Sequence, residues 1–386
     1  MNIDDIKTVA MIGAGDMGHG IAEVALLAGY NVNLYDIKEE YVELGKSRIL
    51  SSLDLLVGKG KVPAELNTAI REKLLKTTTD LAEAVGNADL VIEAIPEFMD
   101  LKKKVFADID KAAPPHALLA SNTSTMSISE IAEATNRPEK VLGLHYFNPA
   151  ILMRLVEVIK ADKTSDETMQ IGMAFAAKQK KVGVYVKKDR PGFIANRVNH
   201  APGLLIGEIL ERGEIEPEAL DAFMRMMGAA MGPCELTDYV GVDVAVNSAR
   251  YYEETLGADY GPPSHLVKMV EAGTLGKKTG QGYFKWVNGE RPRIDLSKAT
   301  HKFNFLWPFF VQINEATKLI QEGVVDTLAE VDIALINSSG MPMGPIAMGR
   351  QISRLDLIEN LEMLAERYDK PLFLPTNRVR AGGHKF

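Results

Sequence analysis

Cysteine is almost absent from this chain of 386 residues, Cys234 being the single one. One thiol closes no internal disulfide and supplies no metal-ligand cluster, so a disulfide scaffold and a cysteine-based metal site are both excluded and no metal is expected. Cys234 reads as a packing residue, and the chain fits a reducing compartment. An excess of positive charge is missing too. Lys and Arg total 44 against 52 Asp and Glu, a net charge of −8, whereas binding a phosphate backbone needs a basic face. Nucleic acid is therefore not an expected partner. Apolar runs of membrane length are also lacking. Residues 303–311 come nearest and are interrupted by Trp307-Pro308, short of a span. The N-terminus leads straight into a strand pattern without the regions of a signal peptide. A cytoplasmic protein with no membrane partner is the expectation, and 46% hydrophobic residues with 25% charged ones suit two or three globular cores.

What is present begins with a glycine turn, Gly13-Ala14-Gly15-Asp16-Met17-Gly18, placed after the apolar run 9–12 and opening a helical pattern. Gly13 permits a tight turn, Gly15 lets backbone approach a pyrophosphate, and Gly18 lets the helix pack on the strand. Phosphates then meet free N–H groups at a helix N-terminus. A second apolar run, 32–35, ends in Asp36, where a carboxylate accepts from the adenosine ribose hydroxyls and repels a 2′-phosphate. This favours NAD over NADP, with Lys38 near enough to soften the preference; the alternative is an exposed, turn-forming aspartate. Positive charge for anionic groups is available at Arg48, Lys59 and Lys61, and at Lys102, Lys103 and Lys104, unless these are solvated helix faces.

Strand-like runs at 9–12, 32–35, 74–79, 90–94, 118–120, 141–146, 155–159 and 182–186 alternate with helical patterns, an α/β rhythm. Residues 39–76 have helical spacing broken by Gly58-Lys59-Gly60 and Pro63, which predicts a helical hairpin inserted near 37–76. After Asp189 the strand pattern stops and Pro191-Gly192 opens a helical stretch. The tail then repeats it. Leu210-Glu211-Arg212-Gly213, Leu220-Asp221, Gly228 and Met231-Gly232-Pro233 recur as Ile320-Gln321-Glu322-Gly323, Val331-Asp332, Gly340 and Met343-Gly344-Pro345, which implies a duplicated helical unit. The expected architecture is an α/β Rossmann-type nucleotide-binding domain, residues 1–188, followed by all-α C-terminal domains, 189–298 and a shortened second copy, 299–386. A duplicated unit can cover within one chain a surface that otherwise pairs with another subunit.

The run 141–146 ends in His145-Tyr146-Phe147-Asn148-Pro149, and the chain returns as Leu155-Val156-Glu157-Val158. The return can bring Glu157 beside His145, and a carboxylate-held imidazole takes a hydroxyl proton near neutral pH. A strand-end histidine satisfied by backbone, with an unrelated glutamate, is the alternative. Ser121-Asn122-Thr123-Ser124 follows another strand run and opens onto the same crevice as the glycine turn, or caps a helix through Ser124 or Ser127. Asn196 lies one turn into the helix starting at Pro191, facing a cleft or packing between helices. Together these indicate hydride transfer.

In this combination of motifs, from about Lys7 to Lys285, the chain closely resembles the L-3-hydroxyacyl-CoA dehydrogenase family. The resemblance rests on the glycine turn, Ser-Asn-Thr-Ser, His-Tyr-Phe-Asn-Pro with Glu157, Pro191-Gly192-Phe193-Ile194-Ala195-Asn196, Met231-Gly232-Pro233 and Gly276-Lys277-Lys278-Thr279-Gly280-Gln281-Gly282. It implies NAD-dependent, reversible oxidation of a (S)-3-hydroxyacyl-CoA such as 3-hydroxybutyryl-CoA. By the resemblance His145 is the catalytic base, Glu157 its orienting partner, and Ser124 and Asn196 contact the substrate oxygens. The NAD positions are the glycine turn, Asp36, Glu97, Lys102, Ser124, Asn148 and Lys278, and Ser52 and Lys59 on the hairpin match coenzyme A contacts. Short members of the family end near residue 284, so the added helical copy suggests a monomer with an internal pseudo-dimer, with a homodimer as the alternative. A dehydrogenase of a free hydroxy acid or sugar acid, and a noncatalytic structural relative, remain open.

Overall fold

A computed structural model describes residues 1–385. By packing, the chain divides into two compact units: residues 1–193 with 323–326 and 333–342, and residues 194–322 with 327–332 and 343–386.

The first unit is built on eight strands: β1 (Thr8–Ile12), β2 (Asn31–Tyr35), β3 (Leu75–Thr78), β4 (Leu90–Glu93), β5 (Leu118–Ser121), β6 (Val141–Tyr146), β7 (Leu155–Ile159) and β8 (Val182–Val186). They form one sheet in the order β3-β2-β1-β4-β5-β6-β7-β8. Every neighbouring pair is parallel except β6 and β7. Parallel strands covered on both faces read as continuous apolar runs; β4, β5, β6 and β7 are buried at every position. Helices α1 (Gly18–Leu27), α2 (Glu39–Gly58), α3 (Ala64–Ala69), α4 (Leu81–Val85), α5 (Met99–Ala112), α6 (Ile128–Ala132) and α7 (Asp166–Lys178) connect them. The expected hairpin is α2 and α3, broken where the glycines and Pro63 stand. Ser127 caps α6, accepting from the Glu130 N–H at 3.1 Å. Parallel order brings the C-terminal ends of β1, β4 and β5 to one edge, the position of ligand sites in such sheets.

The second unit is helical: α8 (Ala195–Glu211), α9 (Pro217–Met226), α10 (Pro233–Val240), α11 (Val242–Leu256), α12 (Ser264–Glu271), α13 (Trp307–Glu322), α14 (Leu328–Ser339), α15 (Pro345–Gly349), α16 (Arg354–Tyr368) and α17 (Asn377–Arg380), with 333–339 of α14 grouped in the first unit. Residues 191–194 form a turn, so α8 starts at Ala195 and Asn196 sits in its first turn. Segments on both sides of residue 298 fall in one compact unit. Within it two Gly-Pro steps are built alike. The Asp221 carboxylate accepts from the N–H groups of Cys234 and Glu235 at 3.0 and 2.8 Å. Asp332 accepts from those of Ile346 and Ala347, both at 2.8 Å. A Cβ on Gly232 would stand 2.1 Å from Asp221, and one on Gly344 2.2 Å from Asp332, so each step needs a glycine for its aspartate to reach the helix start. Among the described residues no helix is long and apolar enough to cross a membrane.

Candidate active site

The nucleotide end of the site is the turn after β1. Gly13 stands at φ +103, and a Cβ there would lie 2.6 Å from the Ala94 carbonyl oxygen. A Cβ on Gly18 would lie 1.8 Å from the Gly13 carbonyl oxygen, whereas one on Gly15 would meet no protein atom within 4 Å. Packing therefore demands the outer two glycines, and the middle one keeps an open space beside the start of α1. No side chain caps that helix start, so its N–H groups suit a phosphate. Asp36 Oδ2 accepts from the Ala14 N–H and Oδ1 from the Ile37 N–H, both at 2.8 Å, which braces the turn. Asp16 pairs with Arg48 at 2.7 Å. The turn opens on a cavity of about 540 Å³ lined by Met17, Tyr35, Ile95, Pro96 and Leu101 among others, apolar walls that fit an adenine ring. The residues present fit a dinucleotide.

The chemical end lies on the antiparallel pair. Register sets His145 directly opposite Glu157, and Nδ1 of His145 lies 2.7 Å from Glu157 Oε2. Both are buried, at 4% and 0% exposure. The imidazole packs against Phe147 and Phe193, ring centres 4.3 and 5.7 Å away. Phe193 holds φ +50, a strained conformation for a bulky residue, which turns its ring onto the histidine. Asn122 Oδ1 accepts from the Tyr146 N–H at 2.8 Å, tying the ends of β5 and β6 together. The sequence gives no separate role to Phe147 or Phe193 and reads Asn122 only as part of the polar stretch 121–124; the fold shows what each touches.

Ser124, half-buried, donates its N–H to Glu97 Oε1 at 3.0 Å, and Thr123 donates its hydroxyl to Glu97 Oε2 at 2.9 Å. Lys102 differs from its expected place as a nucleotide contact and a source of local positive charge. It is 1% exposed, and its ammonium lies 2.6 Å from Glu93, 3.3 Å from Glu97 and 3.3 Å from the Ile95 carbonyl. Its charge is neutralised inside the protein, because Glu93 is fully buried at the end of β4 and also accepts from Ser121 Oγ at 2.6 Å. Ser52 likewise turns inward, donating to Glu23 at 2.6 Å. Burial pushes the Glu23 carboxyl up to about 7. Lys59 and Asn148 are exposed. Asn196 and Lys278 belong to the second unit. There Lys278 pairs with Asp243, and its loop hangs on buried Asp238, which accepts from the Tyr283 and Phe284 N–H groups at 2.8 Å and from Trp286 Nε1 at 3.0 Å. Glu23, Glu93 and Asp238 were not singled out by spacing, since lone acidic residues in apolar patterns carry no periodic signal.

Residues 8–190 match the 3-hydroxyacyl-CoA dehydrogenase NAD-binding domain, and residues 192–286 match the C-terminal domain of the same family. The chain belongs to the 3-hydroxyacyl-CoA dehydrogenase family. Its cofactor is NAD, and it is an oxidoreductase. A probable 3-hydroxybutyryl-CoA dehydrogenase of Bacillus subtilis is 41% identical over 288 residues, 73% of this chain and 98% of that one. The fatty acid oxidation complex subunit alpha of Pseudomonas aeruginosa is 32% identical over 99% of this chain, which spans 56% of that protein. Among solved structures, 3-hydroxybutyryl-CoA dehydrogenase from Escherichia coli superposes with a TM-score of 0.87 at 28% identity, covering 98% of each chain.

Proposed function

We propose that this family member interconverts (S)-3-hydroxyacyl-CoA, 3-hydroxybutyryl-CoA among them, and 3-oxoacyl-CoA, with His145 as the base. The carrying observation is the buried His145–Glu157 pair. With Glu157 accepting from Nδ1–H, the imidazole is fixed in the tautomer whose Nε2 is free to take the proton of the 3-hydroxyl. NAD, when bound, accepts the hydride leaving carbon 3. Glu157 stabilises the imidazolium, and Phe147 and Phe193 keep water from it, which strengthens that interaction. Ser124 and Asn196 are assigned to the substrate oxygens. Gly13 to Gly18, Asp36, Glu97, Asn148 and Lys278 are assigned to the nucleotide, with Lys102 acting through Glu97. The test is NADH absorbance on adding acetoacetyl-CoA or free acetoacetate: oxidation with the thioester alone is expected, and equal rates with the free acid would overturn the choice of substrate.

We further propose domains at 1–188, 189–298 and 299–386, the last a second copy of the one before, for which the matched Asp221 and Asp332 caps speak; a monomer of 42.3 kDa with an internal pseudo-dimer and a cytoplasmic location are part of the same proposal. Light scattering that gives twice this mass would overturn the monomer.

A further inference from the structure

Glu93 and Lys102 form an ion pair enclosed in the first unit, 0% and 1% exposed, and neither lines the cavity at the glycine turn. An ammonium so covered has almost no surface for a ligand to contact. It is also a costly core. Apolar residues of similar size fill such a space without desolvating two charges, and Lys102 stands in the first turn of α5, where the helix dipole disfavours a cation. Stability alone does not account for the pair.

Its partners show what it holds. Glu93 ends β4 and is fixed by register on both sides, opposite Ile12 of β1 and Ser121 of β5. Its main-chain carbonyl accepts from the Asn122 N–H at 2.8 Å. Its carboxylate is engaged through both oxygens: Oε1 accepts from the Ile95 N–H at 2.7 Å and from Lys102 Nζ at 2.6 Å, and Oε2 from Ser121 Oγ at 2.6 Å. Lys102 is thereby anchored from inside, and it meets a second carboxylate, Glu97 Oε2, at 3.3 Å. Glu97 is different in kind, with its side chain 42% exposed. It accepts from the Ser124 N–H at 3.0 Å and the Thr123 hydroxyl at 2.9 Å. Ser121 Oγ accepts from the Thr123 N–H at 3.2 Å and so ties Glu93 to the same turn by another route. A relay runs outward from the core, Glu93 to Lys102 to Glu97 to the turn at 123–124.

We infer that Glu93 is a positioning residue for NAD: by anchoring Lys102 it fixes Glu97 as an acceptor for the ribose hydroxyls of the nicotinamide half. This rests on the assignment of Glu97 to the nucleotide made above. Asp36 follows β2 and marks the adenosine side, whereas β4 and β5 lie on the other side of β1, so a carboxylate just beyond β4 faces the second nucleoside. Ribose hydroxyls are donors, and a half-exposed carboxylate keeps acceptor capacity after two protein bonds. Once the anchored cation is lost, Glu97 is no longer held in one place, and the nucleotide must order it on binding.

NADH affinity is read by fluorescence titration, without turnover, in Glu93→Gln, Glu97→Gln and the double variant, with thermal unfolding alongside. Each single variant is expected to bind NADH about tenfold more weakly, the loss typical of a hydrogen bond to a charged group. The double variant is expected to lose no more than Glu97→Gln alone, because Glu93 acts through Glu97. A purely structural Glu93 would lower the melting temperature and leave NADH affinity unchanged. Parental affinity in Glu93→Gln, or single losses that multiply in the double variant, would overturn the relay while leaving Glu97 in the site. Parental affinity in Glu97→Gln would sink the assignment of Glu97 itself. Should Glu93→Gln fail to fold, the double variant Glu93→Gln with Lys102→Met removes both buried charges and leaves neither unpaired. NADH binding as weak as in Glu97→Gln is then expected, and parental binding would overturn the relay.

Discussion

His145 and Glu157 face one another across a single antiparallel strand pair, joined at 2.7 Å between Nδ1 and Oε2. Two residues separated by a turn are thereby held by main-chain register, which leaves neither side chain free to drift. His145→Gln is expected to retain NADH binding and lose ~10²- to 10⁴-fold in kcat, the contribution typical of a general base. Glu157→Gln keeps the shape and removes the charge, so kcat falls while KM for the thioester stays close to that of the parent. Steady-state kinetics with fluorescence titration of NADH would check both, and parental turnover in His145→Gln would remove the histidine from the mechanism.

Two glycines of one turn separate folding from binding. Gly18→Ala places a methyl group 1.8 Å from the Gly13 carbonyl oxygen, and destabilisation by ~1–3 kcal/mol is expected from such overpacking. Gly15→Ala meets no protein atom within 4 Å, so its melting temperature should match the parent while NADH affinity collapses. Thermal unfolding with and without NADH distinguishes them; a Gly15→Ala protein that binds normally would place the phosphates elsewhere.

Asp36 both braces Ala14 and follows β2 directly, lining the cavity. Asp36→Ala is expected to weaken NADH by about tenfold, as loss of a charged hydrogen bond does, and to narrow the ratio of kcat/KM for NADH over NADPH. An unchanged ratio would remove Asp36 from cofactor choice.

Glu23 gives stability a pH dependence. Its folded value near 7 lies above the ordinary 4.5 because burial disfavours the charged carboxylate. The folded state therefore keeps a proton that the unfolded chain releases. The associated stability is fully present below about 4.5 and is lost as pH rises towards 7, after which it changes no further. Glu23→Gln should flatten this slope and raise stability at pH 8 by ~1–2 kcal/mol. Melting temperatures at pH 5 and pH 8 would show it, and a parent equally stable at both would argue against the shift.

The central strand runs were legible because a covered strand needs unbroken apolar sequence, as in β4 to β7, and all eight strands appear within a residue or so of the expected bounds. The glycine turn was legible for a related reason: backbone at positive φ and a helix pressed on a strand tolerate only glycine. His145 and Glu157 could be paired from sequence because a short return between strands limits the registers available. Sequence thus carried the fold class and the expectation of a nicotinamide dinucleotide, and it offered His145 and Glu157 as a pair that the strand register then decided. What it did not settle was direction. Whether Lys102 points to a nucleotide or into the core, and whether Ser52 faces a ligand or Glu23, depends on which neighbours a side chain finds when distant segments pack, and no local pattern encodes that. The aromatic cover over His145 from Phe193 and the carboxylates Glu93 and Asp238, buried where distant segments meet, arise only from tertiary structure, because each is assembled from segments far apart along the chain.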